Sequence, residues 1–236
     1  DVIAAASWLP WVFGAFWHLN YDRWTNLRHG GEISTSLNWR VVVAGGLFAL
    51  QILAGYQTMA FFTMEAVGVM MLFFCLAKPD PASRDSVVKR FEPLMRMALA
   101  VFLGLGLAAI QILPAQEFFR ASIRTFDFPY AWNSYGSLTI ESLKQFFNPF
   151  IFGDQLTYSG PPPNFAEHAF FIGRIGLLVA TIGSVIALRK ASVWFWFFAL
   201  TAFFGLWVSL GPNAPIDLQY ILWKIVPMYK YLRIPA

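Results

Sequence analysis

The sequence predicts an all-α protein: a polytopic transmembrane helix bundle of about six spans. It adds a long, partly helical extracytoplasmic loop and an interfacial C-terminal helix. Three observations carry this prediction. Hydrophobic residues make up 58% of the 236-residue chain and charged residues only 13%, against about 25% charged in an ordinary soluble domain. The apolar residues gather in runs of membrane-crossing length. The Lys and Arg residues concentrate in short connections between those runs.

The first run is about Ser7 to Leu19, short and aromatic, with Ile3 to Ala6 able to extend it. A polar stretch from Asn20 to Asn38 follows and holds Arg23, Arg28 and His29. The apolar region from Trp39 to Ala77 is too long for one crossing and suits two, because about 20 residues traverse a bilayer core. Its natural break is Ala54-Gly-Tyr-Gln-Thr58, which places spans at about 39–54 and 58–77. A polar loop with two prolines, Lys78 to Phe91, leads to a fourth span at about 93–113. Pro114 opens a mixed-polarity outer loop, 114–168, in which a short interfacial helix is expected around Ile140 to Phe147. The fifth and sixth spans fall at about 169–188 and 193–210. Beyond them Leu218, Ile221, Leu222 and Ile225 recur at helical spacing, as in a helix lying along the membrane surface.

Six spans place the loops at 20–38, 78–91 and 189–192 on one face. They carry Arg23, Arg28, Lys78, Arg84, Lys89, Arg90, Arg189 and Lys190, with Arg40 and Arg96 flanking the same side. The positive-inside rule makes that face cytoplasmic. The 114–168 loop and the C-terminal stretch then face outward. No repeat, low-complexity tract or separate soluble domain is legible, so residues 1–236 read as one membrane domain. The chain begins Asp-Val-Ile and ends Tyr-Leu-Arg-Ile-Pro-Ala, and both ends are read as cuts in a longer protein.

The composition also excludes classes. The net charge of +4 resides in topology-setting loops, so nucleic acid is not an expected partner. The single cysteine, Cys75, lies in an apolar run and has no disulfide partner. Three scattered histidines define no metal site, and no P-loop, GxGxxG, HExxH or GxSxG motif is present.

Polar groups near apolar spans are where chemistry is expected. Glu65 falls inside the third span, where a carboxylate costs about 2.5–3.5 kcal/mol on insertion scales, so it should face the bundle interior. Arg174, near the outer end of the fifth span, is a candidate partner. The pair reads as a structural ion pair, as the wall of a substrate cavity, or as part of a proton relay. Where the fourth span leaves the membrane, Glu117, Arg120 and Arg124 fall at i, i+3 and i+7 and would share a helix face. Arginine's planar fork suits phosphate; the same side chains also suit snorkelling to lipid head groups. The outer loop holds Trp132, Tyr135, Phe146, Phe147, Phe150, Asn148-Pro149, Gly153-Asp154 and Glu167-His168. That composition suits sugar binding or an interfacial aromatic belt.

Several segments together resemble the bacterial membrane protein YfhO family, within the GT-C superfamily of polytopic glycosyltransferases. They are Trp8-Leu-Pro-Trp11, Leu53-Ala-Gly-Tyr-Gln57, Ile110-Gln-Ile-Leu-Pro-Ala-Gln-Glu-Phe118 with Ser122 and Arg124, Asn148-Pro-Phe-Ile-Phe-Gly153 with Tyr158 and Gly160, Glu167 before Phe171-Ile-Gly173, and Val226-Pro-Met-Tyr-Lys-Tyr-Leu-Arg-Ile-Pro235. One departure is visible. The family turn often reads Gly-His-Pro-Gln, and Tyr56 and Gln57 stand at its His and Pro positions, which favours a structural role for this turn.

The resemblance implies a multi-pass enzyme of the bacterial cytoplasmic membrane. It would take a sugar from a polyprenyl-phosphate donor on the outer face and pass it to a cell-envelope polymer or glycolipid. The superfamily's catalytic Asp or Glu usually lies in the first outer loop, upstream of the residues present here, so no catalytic residue is assigned. The leaving phosphate is stabilised in such enzymes by Arg, Lys or sometimes a metal. By charge and expected side, Arg120 and Arg124 would contact the donor phosphate, and Glu117 and Glu167 would orient arginine or bind sugar hydroxyls. Arg233 would line the same cavity. A lipid or sugar transporter and a non-catalytic membrane subunit are the rival classes.

Overall fold

The computed structural model of the chain describes residues 2–29, 39–76, 91–122, 128–162, 171, 173–190 and 193–231. Among them every regular element is helical. The chain divides into two compact units, Asp1–Ala121 and Ser122–Ala236.

The first unit contains α1 (Val2–Ser7), α2 (Leu9–His29), α3 (Trp39–Leu53), α4 (Gln57–Leu76), α5 (Glu92–Leu107) and α6 (Ala109–Arg120). Its core is apolar: Val12, Phe16 and Leu19 of α2 are buried together with Phe48 and Ile52 of α3, Val67, Met70 and Met71 of α4, and Ala100 of α5. The α3–α4 turn falls where the sequence breaks. Gly55 adopts φ 92° there and its N–H returns to the Ile52 carbonyl, closing α3 with a left-handed residue that costs glycine nothing.

Helices α3 and α5 cross in close contact. A Cβ placed on Gly45 would lie 2.7 Å from the Ala100 carbonyl oxygen, and one on Gly104 would lie 2.8 Å from the Gly45 carbonyl oxygen. Two backbones meet because neither helix carries a side chain at the contact. This is the packing expected where lipid supplies no hydrophobic drive and van der Waals fit must hold helices together.

Buried polar groups tie the same helices. The Gln51 amide donates to Thr63 Oγ1 at 2.8 Å and to the Ala5 carbonyl at 3.2 Å, joining α3, α4 and α1. Asn20 donates to Met71 Sδ at 3.0 Å. At one end, Arg40 of α3 donates to the His18 carbonyl at 3.2 Å and Arg96 of α5 to the Leu19 carbonyl at 2.8 Å. The two arginines that sequence reasoning placed beside one face thus reach adjacent carbonyls of α2.

Two features of this unit differ from expectation. The helix begun by the first apolar run does not stop near Leu19: α2 continues to His29, because a drop in hydropathy marks the end of a lipid-facing surface and not of helical hydrogen bonding. The expected single span at 93–113 is instead a bent pair, α5 and α6, meeting at 75° around buried Ala108. Gly104 and Gly106 weaken the turn before the bend, and Pro114 restricts the helix after it. The chain stays helical through Pro114 to Arg120.

The second unit contains α7 (Tyr130–Asn133), a 3-10 turn over Glu141–Phe146, α8 (Arg174–Arg189), α9 (Val193–Leu210), a 3-10 turn over Gly211–Asn213, α10 (Leu218–Ile225) and a last 3-10 turn over Pro227–Tyr231. The segment expected to form a short helix near Ile140 to Phe147 is the first of these 3-10 turns, and the amphipathic C-terminal stretch forms α10. The fifth element begins five residues later than the expected 169. Gly173 sits at φ 85°, a conformation that cannot extend a right-handed helix upstream of Arg174.

Among the described residues two helices are long and apolar enough to cross a membrane, Gln57–Leu76 and the stretch Trp194–Asn213; the bent pair makes a third if it counts as one crossing. Trp39–Leu53 is apolar but shorter. Large apolar side chains face outward: Phe102 is 78% exposed, Ile110 79% and Ile175 79%. Water would penalise such surfaces, and lipid would not.

Candidate functional site

The densest polar arrangement among the described residues lies in the second unit. It is assembled from the segment after residue 128 and the segment after residue 209. The expected topology assigns both to the outer side.

Asp217 is its centre. It caps α10, its carboxylate accepting the Tyr220 N–H at 2.9 Å. The same carboxylate accepts the Tyr130 hydroxyl, at 2.8 Å from Oδ1 and 2.7 Å from Oδ2. Gln219 Oε1 lies 3.2 Å from that hydroxyl. Burial, reinforced by the hydrogen bond to Asp217 and by its negative charge, pushes the Tyr130 hydroxyl far above the ordinary tyrosine range. Tyr130 therefore stays protonated and works as a donor.

Behind this pair, the buried Asn133 amide donates to the carbonyls of Tyr229 at 3.1 Å and Lys230 at 2.9 Å. The Gln219 amide reaches the Asn133 carbonyl at 3.4 Å. Leu138 donates its N–H to Ser209 at 2.8 Å, and Asn213 donates to the Leu138 carbonyl at 2.9 Å. Gly211 makes this closeness possible. It adopts φ 47°, and a Cβ there would lie 2.5 Å from Gln219 Oε1 and 2.6 Å from Ser137 Oγ.

Aromatic rings flank the network. Tyr130 meets Tyr220 edge-on at 5.0 Å, and Tyr220 stacks on Trp223. Lys224 sits over the Tyr220 ring at 4.6 Å and Lys230 over the Trp223 ring at 5.8 Å. Two buried donors, Gln145 Nε2 and Trp223 Nε1, have no acceptor among the described residues. The outcome is a carboxylate, amides, rings and two cations within one small unit. The partly exposed Tyr130 and Asp217 and the two lysines can meet hydroxyl-rich or anionic ligands, while buried Asn133 and Gln219 brace them.

A second turn in the loop is self-contained. Asp154 Oδ1 accepts the N–H groups of Leu156 and Thr157 and the Thr157 hydroxyl, each at 2.9 Å. The Thr157 hydroxyl, followed by the two backbone donors, holds the Asp154 carboxyl below its usual range. Nearby, Tyr158 donates to the Pro161 carbonyl at 2.7 Å, and burial pushes its hydroxyl up.

The residues singled out from sequence are distributed as follows. Glu117 and Arg120 lie three positions apart on α6 and are exposed. Glu65 is half-buried on α4 of the first unit, and Arg174 is the exposed first residue of α8 in the second. Arg124, Glu167 and Arg233 lie outside the described residues. Sequence reasoning passed over Tyr130, Asn133, Asp217 and Gln219. Asp217 did carry a signal, an Asp immediately before an amphipathic run, which is a helix-capping pattern. The others carry none, since their partners stand 86 to 97 positions away in the chain.

No family of known proteins, no curated protein and no solved structure matches the chain.

Proposed function

We propose that the chain is part of a multi-pass glycosyltransferase of the bacterial cytoplasmic membrane, of the GT-C type and related to the YfhO family. In this reading about six helices cross the bilayer. The enzyme takes a polyprenyl-phosphate-linked sugar on the outer face and glycosylates a cell-envelope polymer or glycolipid. The observation that carries the reading is the Tyr130–Asn133–Asp217–Gln219 network. Segments that the loop charges independently assign to the outside converge there on a carboxylate and amides of the kind that hold sugar hydroxyls. Separately, in the first unit, Glu117 and Arg120 are exposed on α6. By charge and by the side expected from the sequence, Arg120 and Arg124 would suit a leaving phosphate, and Glu167 and Arg233 would serve sugar hydroxyls or the same charge. In this reading the partly exposed Tyr130 and Asp217 hold and orient substrate, and buried Asn133 and Gln219 brace them; no residue of the chain is assigned as the base that activates the acceptor.

The bent pair α5–α6 favours a second reading. Discontinuous helices line substrate paths in transporters, and a 75° break at Ala108 suits a lipid or sugar transporter. One experiment separates the two. The purified full-length protein in proteoliposomes is given a radiolabelled sugar on a polyprenyl-phosphate carrier. The enzyme reading expects label in an acceptor. Movement of the intact labelled lipid to the opposite leaflet, without transfer, would support the transporter instead.

A further inference from the structure

A groove runs along the first unit between α2 and α3, with a volume of about 610 Å³. Pro10, Trp11, Gly14, Ala15 and His18 form one wall, on the face of α2 that recurs every three to four residues. Trp39, Arg40, Val43 and Leu47 of α3 form the other. Its width comes from small residues: a Cβ on Gly14 would meet nothing within 4 Å. The polarity is segregated. His18 and Arg40 stand together at one end, where Arg40 donates to the His18 carbonyl, and the remaining walls are apolar.

An apolar trough closed at one end by a cation complements a molecule with an oily tail and an anionic head. We propose that this groove seats an anionic phospholipid, with its acyl chain along Gly14, Ala15, Val43 and Leu47 and its phosphate at Arg40. The loop charges place this end on the cytoplasmic side. Cytoplasmic-leaflet lipid is rich in negative charge, and one arginine near the surface contributes about fivefold in binding. The inference rests on the chain lying in a membrane. It is independent of the enzyme or transporter question, because it concerns the opposite face.

The test uses the full-length protein in nanodiscs of phosphatidylcholine with or without phosphatidylglycerol, and counts lipids retained after detergent extraction by native mass spectrometry. Wild type should retain phosphatidylglycerol in preference to phosphatidylcholine. Arg40→Gln should lower that preference about fivefold, and Arg40→Lys should keep most of it. Gly14→Leu fills the trough and should abolish retention of either lipid. Two outcomes would overturn the proposal. One is equal preference in wild type and Arg40→Gln. The other is retention untouched by Gly14→Leu.

Discussion

Replacing Gly45 by alanine should destabilise the first unit, and the same change at its neighbour Gly46 should not. The new Cβ at 45 would stand 2.7 Å from the Ala100 carbonyl oxygen and 3.2 Å from Cβ and Cδ2 of Leu103. Carbon and carbonyl oxygen rest at about 3.3–3.6 Å, so α3 and α5 must separate by roughly 0.6–0.9 Å. Leu103 Cδ2 can turn away; Leu103 Cβ and the helix carbonyl are fixed by the backbone and cannot. A gap of that size forfeits about a quarter to a half of each dispersion contact along the crossing, and overpacking costs typically about 1–3 kcal/mol. Alanine also gains about 1 kcal/mol in helix propensity over glycine. Gly46 shares that gain, because it lies on the same helix, and a Cβ there meets nothing within 4 Å. Propensity therefore cancels between the two variants, and the difference isolates the steric cost at about 2 kcal/mol. Unfolding by SDS titration in mixed micelles measures both. Equal stabilities, within about 0.5 kcal/mol, would refute the proposed crossing.

Further outcomes follow from the second unit and from the candidate site. Asp217→Ala removes a helix cap worth about 0.5–2 kcal/mol and a charged acceptor worth about 1.5–3 kcal/mol, so thermal unfolding should show a loss of about 2–5 kcal/mol. Asp217→Asn should lose less. The raised Tyr130 value has a definite sign: its contribution is complete below the ordinary tyrosine value of 10.0 and is lost as pH rises towards the folded value. Wild type should therefore lose stability above pH 10 more steeply than Tyr130→Phe, with melting temperature as the readout. Under the enzyme reading, Arg120→Ala should slow sugar transfer about 10–100-fold, the size of a lost charge-assisted hydrogen bond; unchanged transfer would remove Arg120 from the site.

Local features were legible where chemistry and chain order coincide. Gly55 with the polar residues after it announced the α3–α4 turn, and the aromatic run after Ser192 announced α9 to the residue. The spacing of Leu218, Ile221, Leu222 and Ile225 announced α10. Two features were hidden because hydropathy and helicity are different properties. Asn20 to His29 is polar yet helical in backbone, and the fourth apolar run bends at Ala108 although its hydropathy is continuous there. Pro114 looked like a stop, but a helix can carry proline by giving up one bond. The polar network was hidden for another reason. Tyr130 and Asp217 are 87 positions apart, and no pattern within either segment names its partner. Only Asp217 signalled locally, as a cap.

Sidedness tests the account most directly. In a Cys75→Ala background, single cysteines at Gln155, Lys190 and Lys224 would be exposed to a membrane-impermeant maleimide in intact cells and again after lysis. The account predicts labelling of Gln155→Cys and Lys224→Cys in intact cells, and of Lys190→Cys only after lysis. Labelling of all three before lysis, or of Lys190→Cys alone, would contradict it.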